Sequence, residues 1–519
     1  MPLSPKDIEN VRAHGLKLEE IQRQEKILRE PLPPPILDRP CVVGDGILRL
    51  QAEEISATLS FFDRAREEGR LSKFIPASGA ASRMFQALAA YRGRRPQVLR
   101  DPLKKEADGG DPEAGEVLRF VQNLPRFPFF DALQAKLREK GGDPSALFER
   151  GTYTPWIDAL LSTDGLNLAA VPKALMPFHR VKDHIRTPLE EHLIDSVDTL
   201  RSGEGLCRLH FTVSPEHAPL FRDRLAEILP RLEKDRRCRF DVTFSEQASS
   251  TDTISLGPDG FPARLKDGRL LFRPGGHGAL LGNLNALEGD VVFIKNIDNV
   301  PDEFHPGESS HWDALLAGLL LDLQFHLFQR TSWLTGRPND IRILDEAEEF
   351  AGRRLNIHPP AASSGRSVSR RREWLLSRFR RPLRVCAVVK NTGEPGGAPF
   401  WVTGSDGEVA PQIVEAAHVS DEPSQRKIFQ SSTHFNPVHM VCGLRNGRGE
   451  CYDLAKFIDP DAAFVTEKSV EGKSLKVLER PGLWNGSMSR WTTVFVEVPL
   501  STFHPVKTVN DLLREDRQP

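Results

Sequence analysis

The sequence predicts an α/β protein with a mainly parallel central sheet flanked by helices. Three observations carry that expectation. Short apolar runs read as strands: Phe74 with Ile75, then RLHFTV at 208–213, CRFDVTF at 238–244, VVFI at 291–294 and LRVCAVV at 383–389. Helical patterns separate several of them, at 188–202, 216–232 and 311–329. Strand–helix–strand alternation of this kind builds a parallel sheet with helices on its faces. Finally, polar clusters stand where these strands end, which is where open α/β sheets bind ligands.

Composition narrows the function classes. The 519 residues are 39% hydrophobic and 27% charged, as in an ordinary globular chain, and allow about two to four domains. A net charge of −2 gives no general surface for nucleic acid or an anionic membrane. Phe outnumbers Tyr 29 to 3, so aromatics are expected in the core. The six cysteines, at 41, 207, 238, 386, 442 and 451, form no C-x-x-C pair. That argues against a cysteine zinc site and for reduced thiols in the cytoplasm. The N-terminal MPLSPKDIENVRAHG lacks an apolar signal region, and no run approaches the roughly 18 apolar residues of a membrane helix.

Taken in order, residues 5–30 read as an amphipathic helical arm, either solvated or an oligomer contact. PLPPPILDRP at 31–40 reads as a stiff connector, and a second helix is expected near 52–68. The segment LSKFIPASGAASRMFQALAA at 71–90 is strand, small-residue turn and helix start. Such a turn presents backbone N–H groups to a phosphate. Ser78, Gly79, Ala80 and Ser82 keep it small, and Arg83 brings a guanidinium. An ordinary connection remains the alternative. Residues 93–165 read as a mainly helical insertion or lid without evident chemistry.

Further along, VPKALMPFHR fixes Lys173 between Pro172 and Pro177, suited to a phosphate contact or simply a solvated loop. SEQASSTD at 245–252 is a polar strand-end loop. PGGHG at 274–278 surrounds His277 with glycines, which allows close backbone approach to a ligand or makes a helix cap. KNIDN at 295–299 ends a buried strand with Asp298, either a Mg²⁺-holding carboxylate or part of an Asx-turn. PPAASSGRSVSRRR, within 353–373, reads as a mobile basic loop. Lys390 ends another strand before the glycine-rich NTGEPGGAPF, and Lys507 precedes a short helix.

Together these motifs resemble the uridylyltransferase-type sugar-nucleotide pyrophosphorylases, with the resemblance pointing to a bacterial branch of that superfamily. FIPASGAASRM resembles the superfamily's signature loop, with Gly79, Ser82 and Arg83 in the comparable places. Lys173 stands in a P-K-x-L-x-P-like element, Asp298 in N-x-D-N, and Lys507 in F-x-P-V-K-T-x-x-D-L-L. Gln247 resembles the glutamine that reads uracil, and Gly276 with His277 the loop that contacts base and sugar. The resemblance implies a glycosyltransferase-A-like fold and an enzyme joining a nucleoside triphosphate, UTP favoured, to a sugar 1-phosphate with release of pyrophosphate. It implies that the 78–83 loop and Arg83 hold the β and γ phosphates. Lys173 and Lys507 would steady the α and incoming phosphates, and Asp298 would hold Mg²⁺. Lys390, Asn391, Glu394, Gly396 and Gly397 fall where sugar contacts are expected, with Trp484 to Met488 as a second wall. The left-handed β-helix that many relatives carry after the P-V-K-T segment is expected to be absent.

The implied layout is a helical extension at 1–70, a nucleotidyltransferase-like core at 71–400, and a strand-rich part at 401–519 completing the acceptor side. A phosphosugar kinase and a non-catalytic nucleotide-sugar-binding protein are the rival functions. Partners are the two small substrates, with oligomerisation through the N-terminal arm as an option.

Overall fold

A computed structural model of the chain describes residues 3–182, 184–300, 307–360, 367–393, 396–404, 406–470 and 473–514. Ten strands form the central sheet: β1 (Val42–Val43), β2 (Gly46–Leu48), β3 (Leu71–Pro76), β4 (Leu206–Val213), β5 (Arg239–Glu246), β6 (Val291–Lys295), β7 (Leu383–Lys390), β8 (His434–Phe435), β9 (His439–Gly443) and β10 (Thr492–Glu497). Their order is β1-β2-β10-β7-β9-β6-β3-β4-β5, with β8 on the end of β7. Along that path β9 alone runs against its neighbours, and every other pairing is parallel. The carboxyl ends of β3, β4, β5, β6, β7 and β10 therefore share one edge of the sheet.

Strand alternation sets two cores. On one face, Ile75, Phe211, Phe293 and Val385 pack against α1 (Ala52–Glu67), α2 (Pro188–Leu200) and α3 (Ala218–Arg236). The other face, with Phe74, Val292 and Ile294, is covered by α4 (Leu281–Ala286), Trp401, Leu454 and Trp491. The first face also takes α5 (Glu308–Gly336), α6 (Ile341–Leu355) and α7 (Val368–Phe379). Residues 314–321 of α5 are all buried, as expected of a helix that is apolar nearly all round. Gly318 is required there: a Cβ would lie 2.1 Å from the Thr58 carbonyl oxygen of α1.

The N-terminal 5–30 segment is two helices, Pro5–Ala13 and Leu18–Arg29, broken where Gly15 adopts φ +80°. It is not a solvated arm, because its apolar side is covered within the chain. Val11, Ile21 and Leu28 pack on Ile254, Leu256 and Leu478 of a separate four-stranded sheet, and Arg264 holds Asp7 at 2.7 Å. The proline-rich connector also gains structure, because Ile36–Pro40 pairs with Ala398–Thr403.

One further reading changes. Part of the basic 353–373 stretch is helical: 353–355 end α6, and 368–373 lie in α7, while 361–366 fall outside the described residues. Ser367 caps α7, and Arg371 binds Asp345 at 2.7 Å and Glu348 at 2.5 Å on α6. Arg371 thus joins two helices instead of lining a loop. The insertion, in turn, carries its own core of Val117, Phe120, Phe127, Leu133 and Trp156. Ala81, Met84, Met176, Val300 and Val506 belong to that same core.

No helix among the described residues is long and apolar enough to cross a membrane. All six cysteines are free thiols, five of them buried.

Candidate functional site

Four segments distant in sequence meet beyond the shared sheet edge. The turn after β3 is joined to the VPKAL segment by Ala81 N–H donating to Val171 O at 3.0 Å and Lys173 N–H donating to Gly79 O at 3.1 Å. Lys173 starts a short 3₁₀ turn, Lys173–Leu175, and its Nζ donates to Asp298 Oδ2 at 2.6 Å. The chain beyond β6 then meets the C-terminal segment. Val506 N–H donates to Asp298 O at 3.1 Å, and Asn299 Oδ1 accepts from His504 N–H at 2.9 Å. Asn299 is therefore the structural member of N-x-D-N, while Asp298 turns its carboxylate toward a cation.

Lys507 is held by a local device. The Asp511 carboxylate accepts from Lys507 N–H at 2.8 Å and from Thr508 N–H at 2.7 Å, closing a capping box on Val509–Leu513. Val506, Val509 and Leu512 anchor this segment in the insertion core, and Asn510 Nδ2 donates to Glu116 O at 2.9 Å. The K-T-x-x-D-L-L spacing thus has a structural cause: Asp511 caps the backbone at Lys507 and Thr508, and Leu512 and Leu513 bury the turn that follows. Ser78, Gly79, Ala80, Ser82 and Arg83 are exposed on the first turn. Met84 and Phe85 plug that turn into the core below.

Gln247 and the PGGHG loop form a second group, at the end of β5. Gln247 Nε2 donates to Asp252 Oδ1 at 3.2 Å, and the Asp252 Oδ2 lies 2.8 Å from His14 Nε2. Arg480 joins the two loops, donating from Nε to Thr251 O at 2.6 Å and from its backbone N–H to Gly275 O at 2.9 Å. His277 stacks on Trp484 with centroids 4.0 Å apart, and its Nδ1 accepts from Leu483 N–H at 3.0 Å. Burial holds the His277 ring below its usual pKa despite Glu415 and Glu479 nearby. Glu415 Oε1 accepts from Trp484 Nε1 at 3.2 Å and Asn485 Nδ2 at 3.1 Å. The glycine loop and the W-N-G-S-M turn, separate in sequence, thus form one wall.

Lys390 and Asn391 are exposed at the end of β7, where Asn391 N–H donates to Thr433 O at 3.0 Å. The neighbouring Phe435 packs edge-on against Phe503 at 5.0 Å, four residues before Lys507. Gly397 bridges to Asn436, Gly396 is exposed, and Glu394 lies outside the described residues.

The chain belongs to the DUF4301 family. The family, described as a domain of unknown function, matches residues 4–518. No curated protein matches the chain. Among solved structures it is similar to Leishmania major UDP-glucose pyrophosphorylase in open and closed structures, at 13% identity and TM-score 0.44, over 100% of this chain and 82% of that one. It is similar to Trypanosoma brucei UDP-glucose phosphorylase at 14% identity and TM-score 0.46, over 99% and 80% of the two chains. A third likeness is to Trypanosoma brucei uridine diphosphate N-acetylglucosamine pyrophosphorylase, at 12% and 0.46, over 98% and 79%. Likeness at this level fixes no function, which must rest on the chain's own residues.

Sequence reasoning missed the layer directly beneath Asp298. Lys73 Nζ on β3 donates to Asp195 Oδ2 of α2 at 2.6 Å. Lys295 Nζ on β6 lies 2.7 Å from Asp313 Oδ2 of α5 and 3.3 Å from Asp195 Oδ2. His439 Nε2 is 2.5 Å from Asp313 Oδ1. No side chain in this network is more than 4% exposed. Burial alone would raise both carboxyls, but the lysines outweigh it and hold Asp195 and Asp313 below the usual range. Burial keeps His439 neutral, so two ammonium groups balance two carboxylates. The hint in the sequence is a lysine inside one apolar strand, Lys73, and one closing another, Lys295.

A cavity of about 360 Å³ lies at the opposite, amino-terminal edge of the sheet, lined by Arg70, Ser72, Arg208 and Asp290. Arg70 is already paired with Asp290 at 2.6 Å, and none of the candidate residues reaches that cavity.

Proposed function

We propose that this chain is a sugar-1-phosphate nucleotidyltransferase. The observation that carries the reading is the Lys173–Asp298 contact at 2.6 Å, made where four backbone segments converge past the carboxyl ends of parallel strands. The motif resemblance adds UTP as the favoured triphosphate and uracil as the base beside Gln247 and Gly276.

In the reaction, a phosphate oxygen of the sugar 1-phosphate attacks the α-phosphorus of the triphosphate. A new P–O bond forms as the bond to the β-phosphate breaks, and pyrophosphate leaves with that electron pair. The nucleophile is already ionised at neutral pH, so no general base is required. The chain's task is alignment and charge stabilisation. Backbone N–H groups of Ser78, Gly79 and Ala80 and the exposed Arg83 receive the β and γ phosphates. Lys173 and Lys507 steady the α and incoming phosphates. Lys390 and Asn391 face the acceptor side.

Asp298 fits a Mg²⁺ role. Among the described residues no cluster of three or more His, Cys, Asp or Glu forms a ready-made metal cage. One part-exposed carboxylate suits an ion that takes its remaining ligands from water and substrate phosphates. Bound there, Mg²⁺ would neutralise charge on the phosphates. The free thiols accord with a cytoplasmic location.

The test is to incubate the protein with Mg²⁺, each nucleoside triphosphate in turn and a panel of sugar 1-phosphates. Pyrophosphate and a nucleotide-sugar should appear together. A nucleoside diphosphate without pyrophosphate would instead identify a kinase, and binding without turnover a sensor.

A further inference from the structure

His192 stands between the buried charge layer and the Asp298 turn. It lies on α2, three residues before Asp195, and is fully buried. Its Nε2 is 3.2 Å from the carbonyl oxygen of Asn296, two residues before Asp298. A carbonyl only accepts, so Nε2 carries the proton. Nδ1 is then a bare lone pair, and it is buried without a hydrogen-bond partner. Burial, with Lys73 close by, pushes the ring's pKa down to about 3, so the imidazole is neutral at physiological pH.

An unpaired buried acceptor is a net cost to a fold. Phe211 stands edge-on to the ring at 6.5 Å, a contact that does not need an imidazole. What an apolar side chain could not supply is the Nε2–H. Among the described residues the other backbone ties of this turn are Asn299 N–H donating to Asn296 O at 3.2 Å and the bonds from the 504–506 segment, with Lys173 reaching only the Asp298 side chain.

We propose that His192 is a positioning residue: by donating to Asn296 O it fixes the 296–299 turn so that the Asp298 carboxylate faces Lys173 and the substrate phosphates. This rests on the proposed nucleotidyltransferase reading for its consequence in turnover, though not for its consequence in structure. The buried ion pairs hold the end of β6 from below, and His192 sets the first carbonyl beyond it.

The test compares H192Q, which keeps an N–H at similar reach, with H192M, which has nearly the same shape and no donor. Expected for H192M are a melting temperature at or above wild type and faster amide exchange at 296–300. Its kcat should fall about tenfold or more, with a higher Mg²⁺ requirement and little change in KM for the triphosphate. H192Q should restore exchange and kcat toward wild type. Equal exchange at 296–300 in both variants and wild type would overturn the proposal. So would an H192M that fails to fold or melts much lower, since His192 would then be a packing residue. If wild type releases no pyrophosphate with any substrate pair, the functional reading falls, and the exchange comparison still decides the positioning role.

Discussion

Breaking the Lys173–Asp298 contact should separate stability from activity. The two side chains are 17% and 22% exposed at an N···O distance of 2.6 Å. Opposite unit charges about 4 Å apart attract by about 4 kcal/mol at an effective dielectric near 20. Solvent screening and side-chain entropy reduce a pair at such a cleft edge to about 1 kcal/mol. Asp298→Asn or Lys173→Met should therefore lower unfolding stability by only about 1 kcal/mol. If the same groups hold the metal and the α-phosphate, each change should cost about 10²–10³ in turnover, as losing one preorganised electrostatic contact does. Because both act on one transition state, the double variant should lose far less than the product of the singles. Urea denaturation reads the first quantity, and pyrophosphate release with UTP and the preferred sugar 1-phosphate reads the second. Turnover for D298N within a few-fold of wild type would refute the role. A stability loss as large as the activity loss would show that the contact is structural.

Lys295→Met should destabilise by about 3–5 kcal/mol, because it leaves the Asp313 and Asp195 carboxylates buried without Lys295. Adding Asp313→Leu should recover part of that in chemical denaturation, and a K295M costing nothing would contradict the network. Acid should destabilise the fold from well above carboxylate pH. His192 and His439 are held neutral by burial, so below about pH 6.5 the unfolded chain binds protons that the folded chain does not. Stability should fall with pH by up to about 1.4 kcal/mol per unit for each ring. Asp195 and Asp313, held low when folded, add stability present above about pH 3.9 and lost below it. Urea midpoints that stay flat from about pH 7 to 5 would contradict neutral burial of the rings. Gly276→Ala should cost about 1–2 kcal/mol, since φ is +79° and the new Cβ would meet Glu479 Oε2 at 2.2 Å. Triphosphate affinity should weaken with it, and unchanged binding in calorimetry would remove Gly276 from the base side.

The sequence by itself determined the main strands of the central sheet, the helical stretches between them and the strand-end positions of Asp298 and Lys390. Apolar periodicity, proline and glycine act over a few residues, so they are legible locally. Resemblance supplied Lys507, whose local reading was only a lysine before a short helix, and tertiary structure then explained its spacing through the Asp511 cap. Partner choice was decided only by the crossing of distant segments. Asp195 is 122 positions from Lys73 and 100 from Lys295, so nothing near either lysine announces the pairing. The same reason governs the N-terminal helices, whose apolar side is plain in sequence while the sheet that receives it is assembled from residues beyond 250. It also governs Arg371, a loop charge by composition and a helix-to-helix contact by geometry. A side chain's hydrophobicity and dihedral preference belong to the chain locally, whereas the cost of burying a charge is met only by whichever group the fold brings within about 3 Å.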